Sequence, residues 1–208
     1  GEAESVVPSF LDFLRGAIEK PAHVPNLWYR DADGIRRAQA QPRESADSPI
    51  SVATSSWLPG SRKAVIRTSV SRGCPRMCRY CANHLVHGRR LRTAGLDTVD
   101  EALNSIGGER DIRTRQISVV LEDDNLPAAP DYTLAVLALV RRRFGNIDIL
   151  FENGIDYLHL TPELIGQLAA AGVARFNLSL CSIDAAGVES QNRPYDPAHY
   201  ETTLSSLQ

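Results

Sequence analysis

The sequence predicts an α/β domain built on a parallel sheet, and three observations carry that expectation. From Ala64 onward, short apolar runs alternate with amphipathic stretches, strand then helix, at a spacing of about thirty residues. The apolar runs are short and continuous, as strands buried on both faces are. The stretches between them carry helix signals: Thr161-Pro162-Glu163 offers Thr as N-cap with Pro at the first helical position, and Gly145 and Gly172 stand as stops. Repeated units of this kind imply right-handed crossovers. The sheet is then either doubly wound or closing into a barrel, and composition and periodicity leave that choice open.

In chain order, Pro8 to Lys20 reads as a short amphipathic helix with Phe10, Leu11, Phe13, Leu14 and Ile18 on one side. Leu27-Trp28-Tyr29-Arg30, a turn at Asp31 to Gly34, and Ile35-Arg36-Arg37 read as a small hairpin. Gln41 to Gly60, rich in Ser and Pro, reads as a surface linker. Ala64 to Val70 is the first strand of the repeating pattern. The capping box Thr98 to Glu101 opens a helix that ends near Gly107-Gly108. Gln116 to Leu121 is the second strand, followed by a helix from Asp131, read as its cap, to Phe144. Ile147 to Phe151 and Phe176 to Leu180 are the third and fourth strands, and Asp196-Pro197 caps a last helix. Residues 1–60 are thus an N-terminal extension and linker, and residues 61–208 the core domain.

The most informative stretch follows the first strand: Ser71-Arg-Gly-Cys74-Pro-Arg-Met-Cys78-Arg-Tyr80-Cys81. Cys thiolates crowded in one short loop are how iron–sulfur clusters are held. Three of them leave one iron of a 4Fe–4S cluster without a protein ligand and open to a small molecule. A zinc clasp is the competing reading. It needs a fourth ligand, from His84 or His87, in a spacing that fits no common finger. Charge is uneven around this loop. Ser61 to Leu96 contains no Asp or Glu but carries Arg62, Lys63, Arg67, Arg72, Arg76, Arg79, Arg89, Arg90 and Arg92. That is either a solvated basic face or a field offsetting an anionic cluster, cofactor or substrate.

The cysteine spacing, with an aromatic just before the last Cys, resembles the radical S-adenosylmethionine (radical SAM) family. The resemblance covers Ala64 to Gln208 and implies a partial TIM-like (β/α) barrel with about four of the family's six strand–helix units, preceded by a small helix and hairpin extension. It implies a 4Fe–4S cluster on Cys74, Cys78 and Cys81, with S-adenosylmethionine (SAM) on the open iron. Reductive cleavage of SAM then gives a 5′-deoxyadenosyl radical that takes hydrogen from a substrate. Tyr80 stands where the family's aromatic packs near the adenine. Glu122, Asp123 and Asp124 replace a Gly-Gly-Glu-like motif that receives the SAM ammonium, which leaves open which of the three makes that contact. Glu152-Asn153-Gly154 is similar to the family's Thr-Asn-Gly, and Ser179 stands where a Ser touches the SAM ribose or carboxylate. Arg193, in the polar loop that follows, is a candidate carboxylate partner. Cys181 departs from the family pattern and reads as a buried small apolar residue.

The Asp-Asp pair, together with the Leu-Trp-Tyr-Arg stretch, Asp-Gly turn and polar linker, also resembles cobalamin-dependent radical SAM proteins. In these the extension would be the tail of a cobalamin-binding domain, and the reaction methyl transfer or rearrangement. Alternatives are a radical SAM enzyme without cobalamin that modifies a peptide or RNA, and a non-catalytic iron–sulfur or zinc-binding module. The expected partners are an unidentified substrate and a reductant of flavodoxin or ferredoxin type. A net charge of −2 over 208 residues argues against nucleic acid as an obligate partner. No apolar run approaches the ~20 residues that span a bilayer, and no secretory leader opens the sequence. Few, unpaired cysteines fit a reducing compartment, with the cytoplasm as the expected location. Beginning at Gly1 and stopping after about four units, the sequence is expected to be part of a longer protein.

Overall fold

A computed structural model of the chain describes residues 6–40, 52–56, 60–107 and 115–208. Its main sheet has five strands, ordered β3 (Val52–Ser56), β4 (Lys63–Ser69), β7 (Gln116–Leu121), β8 (Asp148–Phe151) and β9 (Val173–Arg175). The last four are parallel and lie in chain order, with no reversal at a switch point. A doubly wound sheet reverses its strand order and carries helices on both faces; among the described residues neither is seen. Ile66, Val119, Leu121, Ile149 and Phe151 form one core with residues of α3 (Leu96–Gly107), α4 (Pro130–Phe144) and α5 (Pro162–Ala170). The helices therefore cover one face of the sheet. Sequential parallel strands with helices outside are the arrangement of a (β/α) barrel, and this is a part of one.

Side-chain alternation explains the strands. In β4, Ala64, Ile66 and Thr68 are buried while Val65, Arg67 and Ser69 are half-exposed, so one side faces the helices and the other the concave interior. β7 is buried on both sides in its second half, through Val119, Val120 and Leu121. The Thr161 hydroxyl caps α5 by accepting from Leu164 N at 3.1 Å, with Pro162 at the first position. Asp196 Oδ1 caps α7 (Pro197–Ser205) in the same way, accepting from His199 N at 3.0 Å. Both caps follow the sequence reading.

Several elements differ from it. The stretch read as a linker contains a strand: β3 pairs antiparallel with β4 from Val52↔Ser69 to Ser56↔Val65. Its Ser- and Thr-rich sequence suits an edge strand, whose outer groups face solvent. The remainder of that stretch up to residue 51, and residues 57–59, lie outside the described residues. α3 starts at Leu96, so Thr98 sits inside the helix and the expected capping box does not open it. α4 starts at Pro130 without a side-chain cap, and Asp131 occupies its first turn. β9 lies before Phe176, and only a single parallel bridge, Ile155↔Leu178, continues it into the apolar run. A further helix, α6 (Ala185–Gln191), is capped by Asp184. At the N-terminus, α1 (Val7–Leu14) is shorter than expected and buries none of its residues, and α2 (Asn83–Val86) is a single turn just after the cysteine loop. The hairpin β1 (Trp28–Asp31) and β2 (Gly34–Arg37) forms as expected.

Candidate active site: the cysteine loop at the strand ends

Ligands of parallel α/β folds gather at the carboxyl ends of the strands, and the cysteine loop leaves β4 there. Its base is pinned by a two-residue ladder between β5 (Ser71–Arg72) and β6 (Arg92–Thr93). Gly73 follows with φ +90°, and a Cβ at this position would lie 2.2 Å from the Arg90 carbonyl oxygen. Only glycine fits between these two backbones. Cys78 is buried and Cys74 and Cys81 are half-buried. All three line one open cleft of ≈ 340 Å³, within the size range of small-molecule sites. Burial pushes the Cys74 thiol above its ordinary value; a bound metal reverses this, because a coordinating thiol is deprotonated. Among the described residues, no three His, Cys, Asp or Glu side chains close on a single ion-sized point.

The acidic stretch after β7 divides its labour residue by residue. Glu122 turns away from the cleft and pairs with Arg67 at 2.7 Å; Arg67 also reaches Glu152 at 3.3 Å. Asp123 is 4% exposed, and its Oδ1 accepts from Val70 N (3.0 Å), Ser71 N (2.5 Å) and Ser71 Oγ (2.6 Å). Burial pushes its carboxyl up to about 6, against the pull of those hydrogen bonds. Asp124 Oδ2 accepts from Gly73 N at 2.7 Å, and Asn125 Nδ2 donates to Cys74 Sγ at 3.6 Å. Asp123, Asp124 and Asn125 thus grip Ser71, Gly73 and Cys74 in turn. Of the acidic candidates, Asp124 alone lines the cleft.

Asn153 and Ser179 reach the same cleft from the next two strand ends. Asn153 Nδ2 donates to the Glu122 and Asp123 carbonyls at 3.0 and 3.3 Å. Gly154, at φ +85°, brings this turn against Ser179, whose Oγ would lie 2.6 Å from a Cβ there. Tyr80 sits at the rim, exposed, with its hydroxyl accepting from Arg193 Nη1 at 3.3 Å. Cys181 is exposed, not buried as its sequence context suggested, and does not line the cleft. Its apolar run leaves the sheet before reaching it.

Sequence reasoning missed Asp156 and the part that Arg76 plays. The Asp156 side chain is 6% exposed and pairs through Oδ2 with Arg76 Nε at 2.6 Å. Arg193 Nη2 stands 3.6 Å from its Oδ1. A buried Asp just beyond a strand end is invisible without knowing which arginines the fold brings to it. Asn125 Oδ1 is buried in the wall of the cleft and accepts no hydrogen bond among the described residues, and Asp156 Oδ1 has only the Arg193 contact. Buried acceptors without a partner are rare.

Fold and site together define a class: an open α/β barrel that presents three thiols in a ligand-sized cleft at its strand ends. The chain belongs to the radical SAM superfamily, whose family model matches residues 68–207. No curated protein matches it. Among solved structures, it is similar to the cobalamin-dependent SAM radical enzyme OxsB with aqua-cobalamin and SAM bound. That match has 13% identity and a TM-score of 0.70, covering 99% of this chain and 31% of OxsB. It is also similar to the radical SAM methyltransferase TsrM from Kitasatospora setae, bound to tryptophan and a SAM analogue. There the identity is 16% and the TM-score 0.69, over 100% of this chain and 42% of TsrM. The chain therefore spans about a third to two-fifths of these proteins. No helix among the described residues is long and apolar enough to cross a membrane.

Proposed function

We propose that this chain is the SAM-cleaving part of a cobalamin-dependent radical SAM enzyme, with Cys74, Cys78 and Cys81 holding a 4Fe–4S cluster and SAM seated in the adjoining cleft. The observation that carries this reading is the convergence of three thiols from one loop on a single ligand-sized cleft. The donor set fits a cluster: the ligands are thiols, and N–H donors reach Cys74 Sγ and Cys78 Sγ at 3.6 and 3.7 Å. Such bonds to sulfur are among the means by which proteins tune clusters. The cleft fits SAM as well. Asn125 Oδ1, in its wall, accepts no hydrogen bond among the described residues, and the ammonium of an amino-acid group is a donor for it.

When bound, the cluster and SAM supply one-electron cleavage of a carbon–sulfur bond, the source of a substrate radical. The chain's own residues position and shield. Asp124 and Asn125 fix the start of the cysteine loop. Asn153 and Ser179 line the same cleft, and Tyr80 stands at its rim. Cobalamin enters the reading because OxsB and TsrM have been solved with it, and the likeness extends over the N-terminal helix and hairpin. The reaction on this reading is methyl transfer or rearrangement. The reductant is an acidic one-electron carrier of flavodoxin or ferredoxin type. It would meet Arg79, Arg89 and Arg90, which are exposed and pair with no carboxylate among the described residues.

Anaerobic reconstitution with iron and sulfide, followed by EPR of the reduced protein with and without SAM, tests the assignment. A 4Fe–4S signal whose g-values move on adding SAM is expected. One tightly bound zinc per chain and no cluster would make the three cysteines a structural clasp.

A further inference from the structure

The cleft also holds a charge pair for which SAM binding assigns no task. Arg193 is 115 residues from Cys78 in sequence, yet its Nη1 lies 3.7 Å from Cys78 Sγ. The same guanidinium donates to the Ser179 carbonyl at 3.1 Å through Nη2. Its side chain is only 12% exposed, and Asp156 faces it at 3.6 Å. Arg76 holds the other oxygen of Asp156, so two cations share one carboxylate beside a thiol. The backbone places Arg193 independently of this pair. Asn192 takes a left-handed φ of 50° at the end of α6. Its Nδ2 donates to the Met77 carbonyl at 3.1 Å, and Arg79 N donates to the Gln191 carbonyl at 2.9 Å. The turn after α6 is therefore latched to the cysteine loop on both sides of Cys78, without help from the guanidinium.

We propose that Arg193, held by its bond to the Ser179 carbonyl, is a positioning residue that sets the reduction potential of the cluster through the Cys78 sulfur. The inference rests on the cluster assignment made above. The step concerned is the uptake of one electron by the cluster from an acidic flavin- or iron–sulfur-carrying protein. The carrier is oxidised by one electron, and no proton moves and no bond breaks in that step. The reduced cluster carries one more negative charge. A permanent cation with an N–H directed at sulfur stabilises that state, because net charge and hydrogen bonds to the sulfurs both set cluster potentials. The fork of Arg is suited to contacting Cys78, Tyr80 and Ser179 at once, which the single ammonium of Lys does not reproduce. Asp156, 3.6 Å from the guanidinium, acts with the opposite sign as a charge.

The test is a reductive titration, followed by EPR, of the full chain after anaerobic reconstitution with iron and sulfide, with dithionite as reductant. R193M is expected to shift the reduction equilibrium toward the oxidised cluster by about tenfold, ~59 mV for a one-electron couple. R193K is expected to shift it less, and D156N in the opposite direction. Opposite signs for R193M and D156N separate a charge effect from a loosened loop, which would move both the same way. Equal potentials in all three variants, or shifts of the same sign, overturn the proposal. If R193M takes up no iron, R193K and D156N decide it. If no variant takes up iron while the unaltered protein does, the pair builds the loop instead, and the proposal fails. An unaltered protein without a cluster removes the underlying assignment, which is a different result from a cluster with unmoved potentials.

Discussion

Asp123 gives a prediction whose size and sign follow from its surroundings. The side chain is 4% exposed, accepts three hydrogen bonds through Oδ1, and has no hydrogen-bond partner for its buried Oδ2. Its carboxyl is pushed from 3.8 to about 6, chiefly by burial. A raised carboxyl binds its proton more tightly in the folded protein than in the unfolded chain. Its stabilising contribution is therefore fully present below pH ~4, declines between ~4 and ~6, and is gone above. A difference of roughly 2 pH units at 1.36 kcal/mol each makes the decline about 3 kcal/mol. Asp123→Asn keeps an acceptor for Val70, Ser71 N and Ser71 Oγ but carries no charge at any pH. The variant should match the natural protein near pH 4 and exceed its stability by about 3 kcal/mol at pH 7.5. Urea unfolding of the metal-free chain under reductant, at steps from pH 4 to 8, measures this. Subtracting the two curves cancels every other titrating group. A difference independent of pH, or a variant less stable at pH 7.5, would refute the reasoning.

Three further outcomes follow from the site. Gly73→Ala sets a Cβ against the Arg90 carbonyl at a φ of +90°. Iron uptake should fall severely and stability by about 1–3 kcal/mol, read from iron content and thermal unfolding. Ser at Cys74, Cys78 or Cys81 should each abolish a full-occupancy cluster signal, whereas Ser at the exposed Cys181 should leave iron content unchanged. Glu at Arg79, Arg89 and Arg90 together should slow reduction by an acidic carrier about tenfold at low ionic strength, and less so in high salt; stopped-flow absorbance of the cluster reads this rate. Equal rates at all salt concentrations would place the carrier elsewhere.

The parts of the molecule legible in the sequence were those whose determinants are local. The cysteine loop, the Thr161 and Asp196 caps and the apolar run of β7 each announce themselves within a few residues. The chemistry of the cleft wall was not legible, because it depends on register. The Thr68↔Leu121 pairing sets residues 122–125 beside the start of the cysteine loop, and no pattern in either stretch reports that pairing. Asp123 and Asp124 read as ligand candidates for the same reason. Two adjacent carboxylates after a strand look alike until one proves to be buried against Ser71 and the other to meet Gly73 at the cleft. β3 was hidden because its five residues, Val-Ala-Thr-Ser-Ser, carry only Val52 and Ala53 as apolar groups, too few to show an alternating strand. The fourth strand was misplaced because Phe176 to Leu180 is more apolar than Val173–Arg175, which pairs through a register irregularity.

These long-range contacts also explain how a loop of three thiols is held in shape by the protein itself. Residues 123–125 secure its first half from the end of β7, and residues 191–193 secure its second half from the turn after α6. The two grips differ in chemistry. The first is anionic and accepts backbone N–H groups; the second brings a cation to sulfur. Net charge beside the cysteines is thereby divided: Asp123 and Asp124 accept backbone N–H groups, while the guanidinium faces Cys78. Swapping them would set a carboxylate against a thiolate and leave Val70 N and Ser71 N buried without acceptors, two penalties of the kind that unpaired buried polar groups incur. Division of this sort requires elements some 50 and 115 residues away from the loop, and the carboxyl ends of successive parallel strands bring them together.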